Sequence, residues 1–465
     1  MRPRHPGRIM LAAVVAMVLF VSPVSAAIPS GVATFTWSNN MHPLGEALSP
    51  VPLVNATPGS GIFNSDLAFW GKLAIQGTYN GFNLIDITEP DNPVKILDYN
   101  ECSADINGVP TTAGNQGDIV VWGDILIRAW NSNTTNPAAT CDGDAVPLGF
   151  EGLHIFDISN RLDPDLIGSV DLAQGSHTLT LVPDEANGRL LVYNNASSGA
   201  NPGIDIVEVP LANPAGATFL RLEPAGRSCH DSAVILGDAM LAGCAGTGAG
   251  GPGLTVWSLS AADGASLTDP VELYQVNVTN TTTGHTAAFS WDGEVAIFGT
   301  EPGGGGQARC QATGVGGQTD EQKSIFFYDA RTGTPLGTHV LPRPQTALEN
   351  CTIHNLNAVP LASKKGQPRR VLVHGSYQSG IGVVDFSDPA NAVEIAYADP
   401  APLVNPDNPA ALELGGDWST YWYNGRIYES DITRGMFIWD LSDPAVAGSM
   451  KLGHLNPQTQ EFTID

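Results

Sequence analysis

Beyond its first 26 residues the 465-residue chain has no apolar run long enough to span a bilayer, which takes about 20 residues. It has no Cys-x-x-Cys pair, no Gly-x-Ser-x-Gly elbow and no His-Glu-x-x-His, which excludes the common thiolate-zinc, serine-hydrolase and zincin arrangements. The tract Gly303-Gly-Gly-Gly306 is no phosphate loop, because it lacks the following Lys-Ser/Thr and the helix that phosphate chemistry requires. Cations are scarce: 21 Lys plus Arg face 47 Asp plus Glu, and without Arg2, Arg4 and Arg8 the count is 18 against 47. Such a surplus makes nucleic acid and anionic lipid poor partners.

What the chain does have is a repeat. Gly81-Phe-Asn-Leu-Ile-Asp-Ile-Thr88 recurs as Gly152-Leu-His-Ile-Phe-Asp-Ile-Ser159, Gly203-Ile-Asp-Ile-Val-Glu-Val-Pro210, Gly253-Leu-Thr-Val-Trp-Ser-Leu-Ser260, Ser324-Ile-Phe-Phe-Tyr-Asp-Ala-Arg331, Gly380-Ile-Gly-Val-Val-Asp-Phe-Ser387 and Gly435-Met-Phe-Ile-Trp-Asp-Leu-Ser442. The copies start 71, 51, 50, 71, 56 and 55 residues apart, a period that belongs to propellers and solenoids. Each run is β-branched and aromatic, apolar on both faces and too short for a useful helix, so it reads as a strand covered on both sides. Upstream lie hairpins, as at Trp291-Asp-Gly293; downstream come Asp-Pro turns, as at Ser387-Asp-Pro389, and a fourth strand. Seven units of four strands predict an all-β, seven-bladed β-propeller of antiparallel blades.

Arg2, Arg4 and Arg8, the apolar stretch 9–21 and Val24-Ser-Ala26 read as a secretory signal over 1–26. The expectation is a monomer, secreted or held at the cell surface, with an N-terminal extension over 27–60 and the propeller over 61–465. Ser449-Met-Lys-Leu452 offers the last blade its fourth strand, which leaves the mode of ring closure open. Six cysteines in an exported chain suggest disulfides. The blade pattern sets Cys229 and Cys244 nearly opposite across a hairpin, and leaves Cys102 with Cys141 and Cys310 with Cys351 as natural pairs, each stapling a long loop.

The two faces of the disc are unequal. One carries short turns; the other carries the long segments 100–117, 131–150, 301–323 and 398–416, and long loops on a rigid scaffold are where binding concentrates. On that side, at the start of the innermost strand, stand His177, His230, His285 and His354, one from each of four consecutive blades. Asp66, Asp118 and Asp417 are placed at the equivalent position of the other three, Asp231 follows His230, and His374 approaches the same rim. Imidazoles and carboxylates are the ligand set of a divalent transition metal. Glu301 and Glu429 read as loop anchors, and Trp418 and Trp422 as blade core.

Val383-Val-Asp-Phe-Ser-Asp-Pro-Ala-Asn-Ala-Val-Glu394, Ile85-Asp-Ile-Thr-Glu-Pro-Asp-Asn-Pro-Val94 and Ile438-Trp-Asp-Leu-Ser-Asp-Pro444 resemble the LVIVD repeat of secreted and surface-associated bacterial propellers. Gly175-Ser-His-Thr-Leu-Thr-Leu-Val-Pro-Asp184, Cys229-His-Asp231 and Ser419-Thr-Tyr-Trp-Tyr-Asn-Gly-Arg-Ile-Tyr428 resemble its exported actinobacterial branch. The likeness runs from about residue 60 onward and weakens in blades 3 to 5, where Glu208 and Ser258 replace the repeat's Asp. It implies a propeller in an exported setting and carries no established reaction. Gly284-His-Thr-Ala-Ala-Phe-Ser-Trp-Asp-Gly293 resembles the structural Gly-His start of a WD40 blade. Two readings follow. In the first the protein is a module that binds an extracellular protein, glycan or small ligand on its long-loop face, and the histidines are spent on backbone groups between blades. In the second the four histidines hold a metal at the channel mouth of a hydrolase or oxidoreductase.

Overall fold

The computed structural model describes residues 28–49, 63–106, 109–111, 116–131, 133–196, 203–302, 319–342, 349–401, 403–405, 408–412 and 415–465. The expected leader and Cys310 lie outside them. Seven four-stranded antiparallel sheets form a seven-bladed β-propeller, and the only helical segments among the described residues are single 3-10 turns. The innermost strands of blades 1 to 7 are Asn64–Trp70, Ile119–Trp122, Thr178–Asp184, Arg227–Ile235, Gly284–Phe289, Asn355–Ala358 and Asp417–Tyr423. Among the described residues no helix is long and apolar enough to cross a membrane.

The repeated run is the third strand of every blade. Its leading glycine has a steric cause: at Gly81, Gly152, Gly203, Gly253, Gly380 and Gly435 a Cβ would collide with a carbonyl oxygen of the fourth strand. Its Asp closes the next turn. Asp86, Asp157 and Asp385 accept hydrogen bonds from the backbone N–H of Thr88, Ser159 and Ser387 at 2.8, 2.8 and 2.9 Å, and the Thr88 bonds hold Asp86 below the usual carboxylate range. The apolar residues between form seven layers, each shared by two neighbouring blades. Leu84 and Phe82 of blade 1, for example, pack with Leu126 and Phe156 of blade 2, and Leu67 and Phe69 close the round against Tyr421 and Ile438 of blade 7.

Ring closure, left open by the sequence, is made by the segment that precedes blade 1. The fourth strand of blade 7 is Met41–Leu48, paired antiparallel with Gly435–Leu441, and Thr36–Trp37 adds an outer fifth strand to blade 6. Residues 449–452 form no strand. Pro43 and Gly45 conceal the closing strand from a sequence reading, and the structure accommodates them at a register shift between these two residues.

The chain's last stretch enters the channel from the short-turn side. His454–Leu455 pairs with Trp70 and Phe69 of blade 1, and Thr459–Gln460 runs parallel to Val234 and Ile235 of blade 4. Between them Asn456 exchanges hydrogen bonds with Val121 of blade 2 at 2.6 and 2.9 Å. Thr459 donates to the Leu181 carbonyl of blade 3 at 2.9 Å, and the Ile464 N–H reaches Trp291 of blade 5 at 2.8 Å. The channel-facing edges of the inner strands are thus satisfied by the chain itself.

One buried group opposes this economy. Asp205, in the third strand of blade 3, is 1% exposed, its carboxylate oxygens lack hydrogen-bond partners, and burial pushes its pKa up to about 6. An acid whose folded pKa is raised costs stability as pH climbs from its unfolded value through the folded one. Between pH 4 and 7 the wild type should therefore lose roughly 3 kcal/mol through this group. The Asp205→Asn variant should lack that component, as measured by urea unfolding across the pH range; identical pH profiles would refute the assignment.

Candidate functional site

The strand heads at the long-loop mouth share one device. Inner-strand pairing slips by a residue between Cys229 and Asp231, Gly284 and Thr286, and Asp417 and Ser419. The skipped residues are His230, His285 and Trp418, and a bulge re-aims the side chain that it leaves unpaired. Asp66, Asp118, Asp231 and Asn355 each accept the backbone N–H of the following residue at 2.7 to 3.0 Å. This shared bond sets the register. Ser65, Gly117 and Trp418 are the equivalents of the four histidines, while Asp66 and Asp118 stand one position further on, level with Asp231. Asp417 stands one position before.

The four imidazoles touch in a row, the first pair edge to face and the next two tilted. Successive ring centroids from His177 to His354 lie 4.6, 4.1 and 4.4 Å apart. His354 Nδ1 lies 2.5 Å from the Trp418 carbonyl of the next blade, a contact in which the ring nitrogen donates. The corresponding backbone of His285 and of His354 faces His230 and His285 more loosely, short of a hydrogen bond, so Nδ1 of His177, His230 and His285 is buried without a partner. His177 Nε2 and His230 Nε2 face each other at 3.1 Å. In a neutral pair one nitrogen must donate and the other accept, and either choice leaves a buried Nδ1 unsatisfied on each ring.

Glu301, at the end of the second strand of blade 5, completes the cluster. Its Oε2 lies 3.7 Å from His285 Nε2, and its Oε1 accepts from Tyr377 Oη at 2.8 Å. Ligand atoms of His230, His285 and Glu301 all lie within 4.8 Å of one another, a spacing that suits a metal ion. His177, His285 and His354 are buried, whereas His230 and Glu301 are partly exposed, so the cluster opens on their side. Beneath it is a cavity of about 20 Å³, lined by the four histidines, Asp66, Asp118, Asp231, Asn355, Trp418 and Gln458 among others. That is room for one water-sized guest.

Burial governs the charges. It lowers His177 to about 4 and His354 to about 3, and together with the neighbouring imidazoles it holds His230 and His285 well below the usual range. All four rings are neutral at pH 7, the form that ligates metals. Burial also raises Asp66, Asp118 and Asp231, and lifts Glu301 to about 7 against the opposing Tyr377 bond. Among the described residues no Lys or Arg lines the cavity.

Of the residues singled out from sequence, the fold brings His177, His230, His285, His354, Asp66, Asp118 and Asp231 to one chamber. Asp417 is buried beside Thr420, and His374 is enclosed in blade 6 against Ser376 at 3.0 Å; neither lines the cavity. Trp418, expected in blade core, lies against His354 with ring centroids 4.7 Å apart. Sequence reasoning read Glu301 as a loop anchor and Trp418 as blade core, and passed over Gln458. Trp418 could have been found by aligning strand heads on the bulge, whereas nothing in the polar stretch around Gln458 marks it as a channel segment.

Among the described residues two disulfides have both partners, Cys102–Cys141 and Cys229–Cys244, and Cys351 is disulfide-bonded as well, as an oxidising compartment permits. The second joins the two inner strands of blade 4 beside His230 and spans 15 residues. Replacing both cysteines by Ser should cost about 3 kcal/mol through the freed unfolded chain, read as a lower urea midpoint with a slope no smaller than that of the wild type. An unshifted midpoint would show that the bond contributes nothing to stability.

No family model matches the chain and no curated protein matches it. Among solved structures it is similar to the hydrazine synthase of Kuenenia stuttgartiensis, at 9% identity over 84% of this chain and 97% of that one, with a TM-score of 0.49. It is also similar to the N-terminal domain of Nup159, at 10% identity over 89% and 98% with a TM-score of 0.48, and to the computationally designed Ika8 protein, at 10% identity over 86% and 99% with a TM-score of 0.44.

Proposed function

We propose that this protein is an exported β-propeller whose binding face is organised around a divalent transition-metal ion at the long-loop mouth of the channel. The ligands are the imidazoles of His230 and His285 and the carboxylate of Glu301. The observation that carries this reading is that the ligand atoms of these three residues lie within 4.8 Å of one another, in a cluster whose ring protons cannot all be partnered and in which His177 Nε2 stands 3.1 Å from His230 Nε2. Backbone carbonyls facing the other ring nitrogen of His230 and His285 would orient those rings, the usual outer support of a metal site. His354, whose Nδ1 is spent on Trp418, supports the cluster from behind.

The ion anchors an electron-pair donor of an extracellular ligand, protein or glycan that the long loops admit. The expected leader, the two disulfides and the likeness to the LVIVD repeat support export. One observation favours a second reading as a hydrolase or oxidoreductase: His230 and Glu301 are partly exposed while His285 is buried, so an ion there keeps a side open to water, as catalytic metals do.

Elemental analysis of protein secreted by its native host should find about one transition-metal equivalent per chain. The His177→Ala/His230→Ala/His285→Ala variant should retain less than a tenth of it while keeping its β-sheet circular dichroism. Removing the ion with chelator should lower Tm of the wild type and leave the variant unchanged. Less than half an equivalent in the wild type, or equal metal in the triple variant, would overturn the proposal.

A further inference from the structure

The short-turn face carries a groove between blades 7 and 1 of about 710 Å³, within the range of small-molecule sites. Its lining includes Lys72, Arg426 and Lys451 beside Ile87, Pro90 and Leu452, and among the described residues contains no Asp or Glu. In a chain where acids outnumber bases 47 to 21, a groove with three cations and no carboxylate runs against composition. The comparable groove between blades 5 and 6, about 680 Å³, shows the ordinary case. There Glu294, Asp329 and Asp388 share the lining with Arg331 and Arg370; Arg370 is neutralised by Asp292 at 2.7 Å and by Glu294, and Arg331 by Asp263 at 2.6 Å.

Between blades 7 and 1 that compensation is looser: Lys72 acts on the Asp86 carboxylate only from beyond ion-pair distance. Arg426 pairs with Asp440 at 2.8 Å, but its Nε is buried without an acceptor. Lys72 and Lys451 are exposed, and neither reaches a carboxylate within ion-pair distance among the described residues. Lys72 sits in the first hairpin of blade 1 and Lys451 in the segment leading into the channel, so two distant parts of the chain set cations around one cleft.

We propose that this groove binds a small organic anion, with a carboxylate, sulfate or phosphate group held by Lys72 and Lys451, and an apolar body against Ile87, Pro90 and Leu452. The site is independent of the metal reading and lies on the opposite face. Exposed lysines attract such a ligand through local Coulomb energy that salt screens, so affinity falls as ionic strength rises.

The probe is 8-anilinonaphthalene-1-sulfonate, titrated by fluorescence at low salt against its uncharged analogue N-phenyl-1-naphthylamine. The expected result is saturable binding of one equivalent of the sulfonate, weakened at least tenfold in the Lys72→Glu/Lys451→Glu variant, with the uncharged analogue binding both proteins equally. Both side chains are exposed, so the variant keeps the wild-type Tm. Absence of saturable sulfonate binding, or equal sulfonate affinity in wild type and variant, would overturn the proposal.

Discussion

The ladder between Met41–Leu48 and Gly435–Leu441 is the contact on which the rest of the molecule depends. Each apolar layer belongs to two blades, so an unclosed ring would leave the last layer with one wall. Closure also fixes the circle of strand heads, and that circle alone carries residues of four blades to ring contacts of 4.1 to 4.6 Å. Phe35 and Trp37, which flank the closing segment, pack on Trp439 with centroids 5.9 and 6.0 Å apart. The clasp is therefore held by aromatic burial as well as by backbone bonds.

Around this frame polarity and apolarity are sorted radially. Aliphatic and aromatic side chains fill the spaces between blades, while the hub concentrates imidazoles, carboxylates and amides that are nearly water-free. The carboxylates of the hub are tolerated because neighbouring N–H groups point at them, and Asp118 accepts two such bonds, from Ile119 at 3.0 Å and Leu179 at 2.9 Å. Gln458, supplied by the channel segment, donates to Asn355 Oδ1 at 2.6 Å and has no donor to its own amide oxygen. Negative and neutral donors face one small cavity with no cationic side chain among its lining residues, an electrostatic setting in which a bound cation would supply the missing charge.

Much of this was legible in the sequence. The repeated third strand is visible because a fully covered strand is apolar at most of its positions, with Asn83, His154, Asp205 and Thr255 as buried polar exceptions at one shared place, and its glycine and aspartate are forced by a neighbouring carbonyl and a following turn. The histidines stood out because they recur at one place in consecutive repeats. Register within that place was not legible: a bulge inserts a residue without changing composition, so Asp66 and Asp118 read as equivalents of His177 when Ser65 and Gly117 hold that position. The closing strand was hidden by Pro43 and Gly45, and the channel segment by Pro457 and its polar neighbours, because both are defined by what they pair with and not by any periodicity of their own. Glu301 looked like a loop residue until the fold carried Tyr377 and His285 to it.

The clasp joins groups as far apart as Asn40 and Asp443, 403 positions distant along the chain. A nascent polypeptide cannot form such a join piecemeal, because loop-closure entropy must be met before any of these long-range bonds is made. Until residues 435–460 have been made, Met41–Leu48 and the channel-facing edges stay open as unpaired β-strands, the template on which one chain aggregates with another. Folding of this disc is thus constrained in time: edges made early stay exposed until strands that follow hundreds of residues later cover them.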